Sequence, residues 1–538
     1  MKILVIGLDA ATMDMIGPWT AAGHLPALAS LIDEGSSARL LSTPNMHSAS
    51  AWTSILTGLN PGRHGLFVFS DRDFATGRQV FFKGSDRAGE TIGSLLARQG
   101  LTAGFLNVPM TYKADCHAGG FMISGLDAPS LNEHAFCPAE LHSELLGKFP
   151  DYGFTPPGLG DLMSAGRVDD SISAWMKLTE TQTSAAEYLI ESRPTDFFMT
   201  VYTASDWAGH NLWSRPRGES EHDRGEALLS IYRALDRAVA RLLEHANENT
   251  QVYVISDHGM GPHTGASYHL ADWLEAHGYM IRNRSAQARA SFVAATRRAA
   301  KNLLPGSIKE KIKSGIGAER VKQLQAAERD SFYSSIDWEQ TTAYTEPGRH
   351  VINIHLAGRN VSGKVLSTDY RGVCDGIARD LCEWTDAVGT RVVQRVARRD
   401  EVYSGPFTER ASDLYVYWNP AASLGDPPDE IRSRGFWWSG DHRPEGVLIV
   451  RGPGIRRGAK LDEAKVYDFV PTLMCGAKLP VPAGLDGRPI DELFTEDFLQ
   501  RNPVKIDSAS QNVAAHASSL SEAEQRLIEE KLRGLGYL

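Results

Sequence analysis

The chain has 538 residues, of which 42% are hydrophobic and 23% charged, and its formal net charge is −10. This is the balance of a soluble globular protein of one large or a few smaller domains, and the acidic excess argues against a general nucleic-acid binder, which needs a basic surface. No apolar run approaches the roughly 20 residues that cross a bilayer, and the irregular spacing of Cys116, Cys137, Cys374, Cys382 and Cys475 predicts neither a disulfide framework nor a zinc ribbon, so a reducing cytoplasm is the expected location.

The first predicted element is KILVIGLD, Lys2–Asp9, a buried strand rather than a signal peptide, since Gly7 interrupts the apolar run and no small-residue cleavage site follows. Within STPNMHSASAWTSILTGLNPGRHG, Ser42–Gly65, the stretch SASAWTSILTG reads as a helix beginning at Ser48. That start would put the Ser48 hydroxyl among free N–H groups at the positive end of the helix dipole, although a serine there is also an ordinary cap. TDFFMTVYTASD, Thr195–Asp206, reads as a second buried strand. In the overlapping SDWAGH, Asp206 and His210 stand four apart, so one helical turn or tight loop would turn both heads the same way. Apolar residues at Leu228, Ile231, Tyr232, Leu235, Val239 and Leu242 mark one face of a helix over Glu226–His245. QVYVISDHG, Gln251–Gly259, is a strand ending in Asp257 and His258, with Gly259 permitting close backbone approach.

From Arg282 to Gln323 the chain is rich in lysine and arginine, opposed only by Glu310 and Glu319. This reads first as a solvated amphipathic helical insertion or cap, and second as a positive lid or a surface touching anionic lipid. The α/β pattern resumes at Ser334, where Thr341–Asn360 looks like a strand and turn returning to the main body. SGDHRPEG places Asp441 and His442 before a further buried strand, Gly446–Gly454, and Ser521 caps a charged C-terminal helix. Strands alternating with helices predict an α/β fold: a central, mostly parallel sheet with helices on both faces, plus the small basic insertion. The expected division is 1–281 and 334–500 for the two parts of a catalytic domain, 282–333 for the insertion, and 501–538 for the tail and last helix. In such sheets ligands bind beyond the carboxyl ends of the strands, where Asp9, Asp206, Asp257 and His258 all fall.

GLDA, Ser42–Gly65, SDWAGH, SDHGMGP and SGDHRPEGVLIVRGPGI, in that order, resemble the alkaline phosphatase superfamily. The similarity is to its type I phosphodiesterase/nucleotide pyrophosphatase group and the bacterial phosphohydrolase/phosphomutase relatives. The resemblance implies an alkaline-phosphatase-like fold and two divalent metal ions, zinc or in the cell manganese. It implies one metal on Asp206, His210 and His442, and the other on Asp9, Asp257, His258 and the oxygen of Ser48. Ser48 stands ten residues before Gly58 of the TG dipeptide and takes the place of the family nucleophile, with Ser50, Thr53 and Ser54 as alternatives and His47 behind it rather than acting as base. Zinc accepts both carboxylate and imidazole and lowers the pKa of a bound hydroxyl toward neutrality.

The implied function is hydrolysis of a phosphorylated small molecule, diester ahead of monoester, through a phosphoseryl intermediate. A phosphoryl transferase or phosphomutase using the same site is the alternative, and a non-catalytic metal-binding protein a more distant one. A sulfatase is disfavoured because the stretch after Ser48, ASAW, lacks the proline and arginine of that family's modified motif. Phe69 stands where nucleotide pyrophosphatases carry an asparagine that contacts a phosphoryl oxygen. With Phe67 and Asp71 it could shape the pocket or simply pack the core. The oligomeric state is not encoded in any of these motifs.

Overall fold

The computed structural model describes residues 1–213, 221–283, 332–425, 427–428, 438–508 and 520–535. A nine-stranded sheet runs through the molecule. Its strands, edge to edge, are Lys460–Lys465, Ser36–Leu41, Glu445–Arg451, Gln251–Ile255, Ile3–Leu8, Phe197–Tyr202, Ala103–Val108, Phe121–Ser124 and Phe136–Cys137. The five from Gln251–Ile255 to Phe121–Ser124 pair in parallel, while Glu445–Arg451 runs antiparallel to both its neighbours.

The strand Ile3–Leu8 is buried on both faces because its alternate side chains serve two cores. Leu4, Ile6 and Leu8 meet Leu28 and Leu31 of the helix Pro26–Glu34 and Leu235 of the helix Glu221–Leu243. Ile3 and Val5 meet Ile55 and Leu56 of the helix Ser48–Thr57 and Leu95 and Leu96 of the helix Ile92–Arg98. Each such side chain, fully buried, contributes about 1.5–3 kcal/mol. The architecture is therefore the expected one, a mostly parallel sheet with helices on both faces. The amphipathic pattern expected over Glu226–His245 is likewise seen, with Leu228, Ile231, Tyr232, Leu235, Val239 and Leu242 all buried. At the C-terminus the helix Glu522–Leu535 begins with a capping box. The Ser521 backbone N–H donates to Glu524 Oε2 at 2.8 Å and the Glu524 N–H to Ser521 Oγ at 3.3 Å.

Three expectations need correction. The strand expected over Thr195–Asp206 stops at Tyr202, and Asp206 lies in the first turn of the helix Ala204–Leu212. Thr341–Asn360 does not return to the main sheet. Its strands, Ala343–Tyr344 and Val351–Ile354, join a separate four-stranded antiparallel sheet with Leu414–Trp418 and Val393–Arg398. The cause is packing: Ile352 and Ile354 share a core with Leu414, Val416, Ile377 and Leu381 and with Leu270 and Leu274 of the helix Ala266–Ala276. Third, Cys116 and Cys137 are joined in a disulfide. Spacing could not show this, because the two come together only when Phe136–Cys137 pairs with Phe121–Ser124. Apart from residues 282–283 and 332–333, the basic insertion expected over 282–333, with its 282–323 surface, lies outside the described residues. Among the described residues, no helix is long and apolar enough to cross a membrane.

Candidate metal centre

Two glycines let the backbone carry the site. A Cβ at Gly7 would lie 2.6 Å from the ring of Trp52, so its absence lets that indole cross the first strand and donate its Nε1–H to Asp9 Oδ2 at 3.0 Å. A Cβ at Gly259 would lie 2.2 Å from the carbonyl oxygen of Glu445. The turn after Gln251–Ile255 can therefore run tight against the hairpin of Gly259–Pro262 with Gly440–Arg443, in which Met260 pairs with His442. Asp9, Asp257 and His258 thus follow adjacent parallel strands, Asp206 and His210 rise from the helix after the next, and His442 arrives on the hairpin.

Ser48 is the first residue of its helix, and all ten residues from Ser48 to Thr57 are buried. The cap is not Ser48 but His47, whose Nδ1 accepts from the Ala49 N–H at 3.2 Å. Ser50 and Ala51 N–H donate to His47 O, both at 3.0 Å. The free N–H groups expected around Ser48 are in this part already used. The Ser48 hydroxyl instead faces His258 Nε2 at 3.1 Å and Asp9 Oδ1 at 3.5 Å. Of its neighbours, Thr53 Oγ1 donates to Ala49 O at 2.7 Å and Ser54 Oγ contacts His64 Nε2 at 3.0 Å, both turned inward. Ser50 Oγ bonds to Asn45 and His47 O.

Two groups of ligand atoms lie within 4.8 Å of one another: Asp206 with His210 and His442, and Asp9 with Asp206 and His258. The first is the trio expected from sequence; Asp206 Oδ1 stands 3.4 Å from each of the two imidazole Nε2 atoms. The second differs from expectation by including Asp206, so that one carboxylate belongs to both. Asp257 lies beside it, with Oδ2 at 3.3 Å from His258 Nε2 and Oδ1 accepting from the Ala10 N–H at 3.3 Å. Ser48 is within reach of this second group, as expected. Phe69 is buried in the core, its ring edge-on to His47 at 5.2 Å between centroids.

The histidine tautomers test whether a cation fits. His210 Nδ1 faces Gly440 O at 3.1 Å, His442 Nδ1 faces Met46 O at 2.6 Å, and His258 Nδ1 faces Gly259 O at 3.1 Å. A carbonyl only accepts, so each Nδ1 carries the proton and each Nε2 offers a lone pair. His210 Nε2 and His442 Nε2 stand 2.8 Å apart. Two lone pairs at that separation repel unless a proton or a cation lies between them. The carboxylates agree. Burial and the neighbouring carboxylates of Asp257 and Asp206 hold the Asp9 carboxyl well above its ordinary range. Burial pushes Asp257 up to about 7, and among the described residues its buried Oδ2 has no hydrogen-bond partner. Burial opposes ionisation of Asp206 as well, but His210 and His442 outweigh it and hold that group well below its usual range. Burial, then His442, depresses the His258 imidazole. Burial opposes a charge on His442, but the Asp206 carboxylate outweighs it and raises that imidazole, so a proton on His442 is what a cation would displace, and the donor set of buried carboxylates and imidazoles fits divalent cations.

Sequence reasoning missed Trp438 and Trp52, and singled out Asp441 beside His442 without giving it a role. Trp438 stacks on His210 with ring centroids 3.6 Å apart, and Trp52 holds Asp9. The residue before His442, Asp441, accepts the His442 N–H at 2.9 Å on an oxygen that also faces His350 Nε2 at 3.1 Å. The SGDHRPEG stretch marked Asp441 but not its role; no signal existed for the two tryptophans.

The description "Type I phosphodiesterase / nucleotide pyrophosphatase" belongs to the family model that matches residues 3–430. No curated protein matches the chain. Among solved structures, the chain is similar to murine ectonucleotide pyrophosphatase/phosphodiesterase 5, in an inactive form complexed with AMP. The identity is 11%, the match covers 92% of this chain and 100% of that one, and the TM-score is 0.50. It is also similar to wild-type alkaline phosphatase PafA, at 14% identity, with 92% of this chain and 99% of that one covered and a TM-score of 0.52. At these identities the two structures speak for the fold.

Proposed function

The chain belongs to the type I phosphodiesterase / nucleotide pyrophosphatase family, and on that premise we propose that this phosphoric ester hydrolase of the alkaline phosphatase superfamily acts on a small-molecule phosphodiester through a phosphoseryl intermediate at Ser48. The observation that carries the proposal is the position of the Ser48 hydroxyl, 3.1 Å from His258 Nε2 and 3.5 Å from Asp9 Oδ1, on a residue relieved of capping by His47. Asp206, His210 and His442 would hold one divalent cation, and Asp9, His258 and Asp257 the other with Asp206 between them. Zinc suits this mixed carboxylate and imidazole set, and manganese is the second candidate. Bound there, the cations would supply the positive charge that ionises Ser48 and offsets the charge gained by the departing ester oxygen.

The protein's own groups do the rest. The helix Ser48–Thr57, buried along its length, fixes the direction of Oγ for in-line attack on phosphorus, which costs little entropy because the side chain is already held. The Nδ1–H bonds to Gly440, Met46 and Gly259 keep the three imidazoles in the ligating tautomer. Oγ forms a bond to phosphorus as the ester oxygen leaves, and water then attacks the phosphoseryl group and returns the hydroxyl. The AMP bound by the murine relative supports a substrate carrying a phosphoryl group on a small organic moiety, and Phe69 in place of the family asparagine argues for an organic part other than a nucleotide.

Metal stoichiometry by atomic emission, followed by paired p-nitrophenyl monoester and diester assays, tests this reading. Ser48→Ala should retain metal and lose turnover by about a thousandfold or more. Full turnover with metal bound would reject Ser48 as the nucleophile.

A further inference from the structure

The loop that leads into Ser48 is built around one side-chain amide. Residues Thr43–Met46 form a tight turn, closed by the Met46 N–H donating to Thr43 O at 2.8 Å. Met46 then adopts a φ of 48°, a left-handed conformation that a residue with a Cβ keeps only when its surroundings hold it there. In this conformation the Met46 carbonyl meets His442, whose Nδ1–H donates to it at 2.6 Å. The same ring places its Nε2 3.4 Å from Asp206 Oδ1 and 2.8 Å from His210 Nε2.

Asn45 holds the turn. Its Nδ2 donates to Phe67 O, and because a carbonyl only accepts, this contact fixes which end of the amide is oxygen. Oδ1 then lies 3.1 Å from the Tyr403 hydroxyl, 3.0 Å from that of Thr43 and 2.8 Å from that of Ser50. Two lone pairs suffice for Tyr403 and one of the others, and the Ser50 hydroxyl has a second acceptor in His47 O at 2.8 Å. Both ends of the amide are thus tied to segments outside the turn. Phe67 and Tyr403 also pack edge to face, with ring centroids 5.3 Å apart, in a small core with Ala411 and Tyr415. Tyr403 ends the helix Arg399–Val402, which directly follows the strand Val393–Arg398 of the antiparallel sheet.

We propose that Asn45 is a positioning residue for the metal centre: its amide, held by Phe67 and Tyr403, fixes the Met46 carbonyl that orients His442. Among the described residues, none of the Asn45 hydrogen bonds goes to a candidate ligand, so it acts through Met46. The proposal rests on the phosphoesterase reading for its place in a reaction and deepens it, because one tyrosine hydroxyl then links the antiparallel sheet to the metal centre. The effect is selective. His258 takes its Nδ1 contact from Gly259 O and not from Met46, so the cation at Asp9, Asp257 and His258 should be much less sensitive than the one at Asp206, His210 and His442.

Zinc affinity, measured by competition with a chromogenic chelator, is compared for the full chain as wild type, Asn45→Ala and Tyr403→Phe. Asn45→Ala should weaken one zinc-binding step roughly 10- to 100-fold and move the other less than about threefold. Tyr403→Phe removes a single hydrogen bond and keeps the ring, so it guards against a folding failure, and it should weaken the same step about two- to tenfold. A second measurement is NMR of the zinc-saturated protein labelled at its histidines. The His442 Nδ1–H proton, assigned by its absence from His442→Gln, should shift upfield or broaden in Asn45→Ala, while those of His210 and His258 keep their positions. Equal weakening of both steps, no weakening of either, or an unchanged His442 proton overturns the proposal and leaves the phosphoesterase reading intact. A zinc-loaded wild type that cleaves neither p-nitrophenyl ester overturns that reading, and the same two measurements still decide whether Asn45 orients His442.

Discussion

Two neighbouring clusters use the same side chains in opposite senses. In the metal centre, His210, His258 and His442 give their Nδ1 protons to backbone carbonyls and aim lone pairs inward. Around Asp441 the polarity reverses. The Nδ1 of His263 accepts from the Gly265 N–H at 2.8 Å, and the Nδ1 of His350 accepts from Trp418 Nε1 at 3.0 Å. Their protons therefore sit on Nε2: that of His350 faces Asp441 Oδ1 at 3.1 Å, while that of His263 faces Ser267 Oγ at 3.2 Å with Asp441 Oδ2 further off at 3.8 Å. The second cluster is an anion held by the His350 imidazole N–H and the His442 backbone N–H, with His263 nearby, and the first is a set of lone pairs that fits a cation. Aspartate and histidine content alone cannot tell the two apart; the partner of Nδ1 does.

The largest effect that could break this contrast comes from the ligating side. His210→Ala or His442→Ala should weaken metal binding by more than about 100-fold, beyond the 10- to 100-fold typical of residues behind a ligand. Competition with a chromogenic chelator measures it, and retention of two tight metals would dissolve the distinction. Asp441→Asn comes next. It keeps an acceptor for the His442 N–H but removes the charge, so metal affinity should fall by about tenfold while the stoichiometry stays the same.

A smaller effect is read through pH. Asp257, raised to about 7 by burial in the metal-free protein, holds its proton more tightly folded than unfolded. Its contribution to stability is present below its ordinary carboxylate range and is lost as pH rises through about 7. Relative to Asp257→Asn, whose buried histidines are the same, the melting temperature of the chelator-treated wild type should therefore drop by several degrees between about pH 5 and about pH 8, and excess zinc should abolish the difference. Metal-free profiles of wild type and Asp257→Asn that run parallel would mean that the carboxylates are not crowded as described. The smallest effect belongs to His263→Gln and His350→Gln. Each should change metal affinity by less than about threefold and cost about 1 kcal/mol of stability, seen as a shift in the denaturation midpoint.

Much of this was legible because the chemistry follows buried strands. Asp9, Asp257 and His258 could be read from apolar runs that end in polar residues, and Asp206 and His210 from their spacing. The remainder depends on distances between segments far apart in the chain. Nothing local says that Asp206 stands between both ligand groups, that His47 takes the capping role from Ser48, or that His350, just before a strand of another sheet, reaches Asp441. The strand Val351–Ile354 has the same alternating apolar residues whichever sheet it joins. Its partner is chosen by the fit of Ile352 and Ile354 against Leu414 and Val416.

The margins of the nine-stranded sheet carry one more consequence. An outermost strand presents unpaired backbone groups that can recruit a strand from a stray chain. At one margin, Lys460, Asp462, Glu463 and Lys465 point charge into solvent. At the other, the strand Phe136–Cys137 is only two residues long and is fastened covalently through Cys116. Reduced, that clasp would open and bare the flank of Phe121–Ser124, so the thiol chemistry of the surroundings should govern self-association rather than turnover.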